Sequence, residues 1–119
     1  MIEKRKVYDL ESRTAKFGIS IILFCKDLKQ DTISRPLINQ IVRSATSVGA
    51  NYMEANGASS KKDFRNKIYI CKKEAQETLH WLRMLQAYFP EQEENILKLR
   101  QESQEIVFIF GKIAGSVAV

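Results

Sequence analysis

Glu77 and His80 stand in a Glu-x-x-His step, the spacing by which one helix supplies two ligands to a carboxylate-bridged di-iron bundle. Such a centre takes two of these steps plus two further glutamates, and His80 is the single histidine of the sequence. One subunit cannot complete it, and on a helical wheel His80 points well away from Glu74, so no metal is expected. A HEPN-type ribonuclease would place an arginine a few positions before its histidine; the nearest one before His80 is Arg65, which is too far. Cys25 and Cys71 belong to no CxxC pair and read as buried small hydrophobes rather than nucleophiles. There is neither a GxxxxGK phosphate loop nor a GxGxxG turn. The expectation is a protein without catalytic residues, cofactor or small-molecule substrate.

The elements that carry these residues follow from composition and spacing. The chain has 119 residues, 45% hydrophobic and 28% charged, with only 5 Gly and 2 Pro, which argues against disorder and against a turn-rich β-sandwich. The apolar stretch from Phe17 to Cys25 is interrupted by Ser20 and falls far short of the about 20 residues of a bilayer span. Acidic Glu3, Asp9 and Glu11 among the early basic residues are unlike a signal peptide, and two unpaired cysteines suit a reducing compartment, so a cytoplasmic protein is expected.

Four segments repeat apolar residues at alternating steps of three and four, which places each set along one helical face. They are Leu10, Thr14, Phe17, Ile21, Phe24 and Leu28; Ile38, Ile41, Ala45, Val48, Tyr52 and Ala55; Phe64, Ile68, Cys71, Ala75, Thr78, Leu82, Leu85 and Phe89; and Ile96, Leu99, Ser103, Ile106, Phe110, Ile113 and Val117. Ser34 is the expected cap of the second helix, with Pro36 in its first turn, and Gly57 suits a left-handed exit. Ser60 and Asp63 form a capping box that starts the third helix near Lys61, and Pro90 ends it. Glu91, Glu93 and Glu94 then sit favourably at the start of the fourth. Short connections and a 3.5-residue seam predict an all-α protein, one antiparallel up-down-up-down four-helix bundle over residues 1–119.

The formal net charge of +5 concentrates in two windows, residues 1–29 and 58–90. The third helix also carries a second heptad-spaced line, Lys67, Ile70, Glu74, Glu77, Trp81, Met84 and Tyr88, whose aromatic half predicts an exposed apolar patch. The second helix has a small and polar line in Arg43, Ser47, Ala50, Asn51 and Glu54, beside a Gly49 that close packing would explain. Arg43, Asn51, Glu54, Lys67, Glu74 and Glu77 are expected to form an ionic network between the second and third helices or across a subunit contact, with Trp81 in the contact, setting the register of assembly. Surplus apolar surface on so short a chain predicts a homo-oligomer.

The run Ser47, Val48, Gly49, Ala50, Asn51, Tyr52, Glu54 and Ala55, followed by Ser60, Asp63, Phe64 and Lys67, resembles the 23S rRNA intervening-sequence protein family. So does the run Lys73, Glu74, Ala75, Glu77, Thr78, Trp81, Leu82 and Leu85, and Tyr8, Asp9 and Leu10 match how many members begin. Gly49 stands where many members have proline, and Asn56 where a small residue or glutamine is frequent; both departures bear on local helix geometry. The resemblance implies a homo-oligomeric ring, most often a pentamer, with no known catalytic activity. The sequence is also similar to the accessory protein of diversity-generating retroelements, a basic pentameric bundle that binds nucleic acid and a reverse transcriptase. By that analogy, Lys61, Lys62, Arg65 and Lys72, together with Lys4, Arg5 and Lys6, are candidate contacts for RNA or DNA phosphates, with little base specificity expected. The competing expectation is a protein-interaction module that binds no nucleic acid.

Overall fold

The computed structural model describes residues 2–119, with side chains from Asp9 onward. Four helices account for nearly all of it: α1 (Ile2–Lys26), α2 (Ser34–Asn56), α3 (Lys61–Tyr88) and α4 (Glu93–Ser116), with a single 3-10 turn, Pro90–Gln92, leading into α4. Helices consecutive in sequence pack side by side, α2 with α3 and α3 with α4 most extensively. The seam between α1 and α4 is the thinnest, closing the up-down-up-down bundle into a rod of 45 × 27 × 19 Å.

The four seams predicted from spacing supply the core. Phe17, Ile21, Ile41, Val48, Ile68, Leu82, Leu85, Ile96, Ile106 and Phe110 are all essentially inaccessible. Hydroxyls that fall in the seams are satisfied: Ser44 and Thr78 share a hydrogen bond of 2.8 Å, Ser103 donates across the α3–α4 seam to the Ala75 carbonyl at 2.9 Å, and Thr14 donates to the Leu10 carbonyl at 2.8 Å. Each would otherwise cost about 1–3 kcal/mol as an unpaired buried group. Both cysteines are buried, and burial pushes their thiols up, to about 11 for Cys25 and about 12 for Cys71. They are therefore poor nucleophiles at neutral pH.

Two helix ends differ from the sequence expectation. Ser34 does not cap α2. Instead the Asp31 carboxylate accepts from the amides of Ile33 (2.9 Å) and Ser34 (2.8 Å), while the buried Ser34 hydroxyl accepts from the Asp31 amide and donates to the Lys29 carbonyl. A carboxylate one turn earlier reaches two orphan donors where a serine hydroxyl would reach one. Gly57 leaves α2 at φ −99°, on the right-handed side, because three-residue bonds from the Gly57 and Ala58 amides to Glu54 and Ala55 already satisfy the last carbonyls. The start of α3 behaves as expected: the Ser60 hydroxyl accepts from the Asp63 amide at 3.0 Å, although the Asp63 carboxylate returns to the amide of Ser59 rather than Ser60.

Candidate nucleic-acid interface

The long helix α3 has two flanks of opposite chemistry, because residues three and four apart share a face. On the flank against α2 lie its carboxylates. Arg43 of α2 donates to Glu74 at 3.3 Å and to Glu77, and Lys67 reaches back to Glu54 at 2.9 Å. The expected network thus forms within one chain, as two separate clamps between α2 and α3. Glu74 is the most enclosed member, its side chain 12% exposed against 47% for Arg43. Asn51 stays outside both clamps, its amide donating to the Ser47 carbonyl one turn back.

Of the aromatic line, Tyr88 is 37% exposed, whereas Trp81 and Met84 are less open than expected. Trp81 packs half-buried against the core, with its indole N–H shielded and unpartnered, and Met84 is also half-buried. The Tyr88 hydroxyl donates to Asp31 at 2.6 Å, which holds that carboxyl down at about 2 and raises the phenol. The fit of α2 along α3 leaves Trp81 and Met84 partly covered and Tyr88 open. Further exposed apolar side chains are Ile19, Ile22 and Leu23 on α1, Met53 on α2, and Leu97 and Phe108 on α4.

The opposite flank of α3, toward α4, carries Lys62, Arg65, Tyr69, Lys72, Lys73, Gln76, His80 and Arg83 at steps of one, three and four, without a carboxylate among them. Lys61, Lys62, Lys73 and Arg83 are exposed, and none of these cations has an ion-pair partner among the described residues. The carboxylates nearest in the bundle are held on other sides: Glu74 and Glu77 by Arg43, Glu102 and Glu105 by a forked contact from Arg13 on α1 at 2.8–2.9 Å. Lys72 is half-buried, with the end of its side chain over Gly111 of α4, its Nζ 3.6 Å and its Cε 3.7 Å from where a Cβ would stand. Arg65 is half-buried too, with its guanidinium 6.0 Å above the centre of the exposed Tyr69 ring. On α4, Lys112 stands 5.4 Å over the ring of Phe108.

Of the sequence candidates, Lys61, Lys62, Arg65 and Lys72 therefore gather on one side of α3. The side chains of Lys4, Arg5 and Lys6 lie outside the described residues. Tyr69 and Phe108 were missed by sequence reasoning, although Arg65–Tyr69 and Phe108–Lys112 are both pairs four apart on a helix, a spacing that brings a cation over a ring. A surface of unpaired cations with interspersed rings attracts polyanions, and releases counterions when phosphates replace them. Among the described residues no three His, Cys, Asp or Glu side chains converge as metal ligands, and no helix is long and apolar enough to cross a membrane.

The profile of the 23S rRNA-intervening sequence proteins matches residues 6–112. This chain belongs to that family. A solved structure from Bacteroides thetaiotaomicron VPI-5482, described as a protein with unknown function from the S23 ribosomal protein family, is 32% identical. It superposes with a TM-score of 0.79, covering 87% of this chain and 96% of its own. No curated protein matches. The two chains thus share the four-helix architecture over most of their length.

Proposed function

We propose that this intervening-sequence protein is a non-catalytic, cytoplasmic, homo-oligomeric bundle, assembled as a ring of five, that serves as a scaffold or accessory factor and binds nucleic acid through the α3–α4 side. The observation that carries the reading is the segregation of charge on α3: its carboxylates are spent on Arg43 and on its own N-terminus, and of its cations only Lys67 has an ion-pair partner among the described residues, while Lys61, Lys62, Lys73 and Arg83 are exposed. Repeated around a ring, that flank becomes a continuous positive field.

Self-association is assigned to the opposite side. Ala15, Ile19 and Ile22 of α1 and Ala50 and Met53 of α2 line a groove of about 380 Å³, with Ile19 53% and Met53 63% exposed. Open apolar surface of this kind is relieved by a second copy of the chain. The groove also supports the alternative reading, a module whose partner is another polypeptide and which binds no nucleic acid.

Light scattering of the purified protein, read with the ratio of absorbance at the nucleic-acid and protein maxima, tests both halves. A mass of several subunits that falls to one in Ile19→Asp, with co-purified nucleic acid removed by raised salt, is the expected result. A protein that is monomeric at high concentration and free of nucleic acid contradicts it. A partner protein retained after nuclease treatment, without nucleic acid, favours the alternative.

A further inference from the structure

The cationic flank explains attraction to phosphate but leaves Tyr69 and Phe108 without a purpose. Tyr69 is 47% and Phe108 65% exposed, the latter among the most exposed large apolar side chains of the described residues. Each ring sits beneath a cation four residues away on its own helix, and both helices border the same seam, the one bridged by Lys72 over Gly111. Tyr69 and Phe108 lie within a few residues of the α3–α4 contacts made by Lys72 over Gly111 and by Ser103 on the Ala75 carbonyl, so both rings border the same stretch of the seam. Their helices stand about 8–10 Å apart.

Duplex nucleic acid has no use for such rings, because its bases are already stacked and its outer surface is phosphate. A single strand does: splayed bases stack on exposed aromatics regardless of sequence, while cations track the backbone between them. Lys62, Lys72 and Lys73 flank Tyr69 and Lys112 flanks Phe108, so both rings are bordered by positive charge; the carboxylate three positions before Phe108, Glu105, is paired with Arg13 of α1.

We infer that the α3–α4 side binds single-stranded nucleic acid, with one base stacked on Tyr69 and another, a few nucleotides along the strand, on Phe108. This rests on the nucleic-acid reading above and goes further in naming the strand state and the two platforms. Arg65 and Lys112, already over the rings, position them and supply charge to the neighbouring phosphates.

The test is an anisotropy titration of the full chain with one labelled mixed-sequence strand, as RNA, as DNA, and as the DNA annealed to its complement. Tyr69→Ala, Phe108→Ala, Tyr69→Phe and the pair Lys62→Ala with Lys73→Ala are compared with the parent, each checked for unchanged melting and solution mass. Tighter binding of a single strand than of the duplex, loss of about fivefold or more for either ring-to-alanine variant on RNA or DNA single strands, and recovery in Tyr69→Phe are expected. Ring variants that bind single strands as well as the parent overturn the inference; if the lysine pair still weakens binding, the nucleic-acid reading survives without it. No binding by any strand overturns both. A Phe108→Ala protein whose mass falls reassigns that ring to a subunit contact and also overturns the inference.

Discussion

The α1–α2 and α3–α4 seams follow the same helical repeat and finish in opposite ways. At the first, Gly49 lets α2 close onto α1 so tightly that a Cβ would stand 3.2 Å from the Thr14 hydroxyl. At the second, Gly111 meets only the flexible end of Lys72, 3.6 Å from where its Cβ would be. One seam is shut on glycine and leaves isoleucine and methionine outside; the other is covered by a cation and leaves lysines, arginines and two rings outside. The repeat decides where helices meet, whereas the residues flanking it decide what each seam offers to a partner.

The largest expected effect separates the two sides by charge. Reversing Lys62 and Lys73 to glutamate lowers affinity for a mixed-sequence RNA at low salt by about tenfold or more, and makes the slope of log affinity against log salt shallower by about 2. Reversing the exposed Lys16 on α1 leaves that slope unchanged; equal losses from both helices would erase the distinction.

Packing gives the next contrast, read by urea denaturation. Gly49→Val crowds Thr14 and destabilises by about 1–3 kcal/mol. Gly111→Ala meets only a movable lysine tip and gains helix propensity, stabilising by about 0.5–1 kcal/mol. Changes of the same sign would show that the two seams are equally tight.

Much of this was legible in the sequence, and the gaps have physical causes. Ile38 through Ala55 and Ile68 through Leu85 declared their buried faces because a 3.5-residue repeat admits one seam per helix. Complementary charges on adjoining lines pointed to Arg43, Asn51, Glu54, Lys67, Glu74 and Glu77 as one network, but not to its division into two clamps or to Asn51 standing outside both. Trp81 is less exposed than its spacing suggests, because spacing gives a side chain's direction but not how far the neighbouring helix reaches around it. The same limit hid Tyr69 and Phe108, whose exposure depends on α3 and α4 leaving that flank open. At Ser34, the helix start was found but its cap was not, since Asp31 competes for the same amides from one turn earlier.

The smallest effect sharpens that last point. The Tyr88 hydroxyl and two amides hold the folded Asp31 carboxyl down at about 2, below its ordinary value, so its contribution is present above about pH 4 and is lost as pH falls through the folded value. In Tyr88→Phe the Asp31 carboxyl, followed by NMR, titrates closer to its ordinary value, with melting at neutral pH nearly unchanged. An unmoved titration would leave the amides as its sole cause.

On the proposed function, the exposed cations of α3 meet phosphates. The most direct measurement is a titration of the wild-type chain with a labelled single-stranded RNA over a series of salt concentrations. A straight, steep fall of log affinity with log salt, its slope reporting several displaced counterions, is predicted. No binding at the lowest salt, or an affinity that ignores salt, would contradict it.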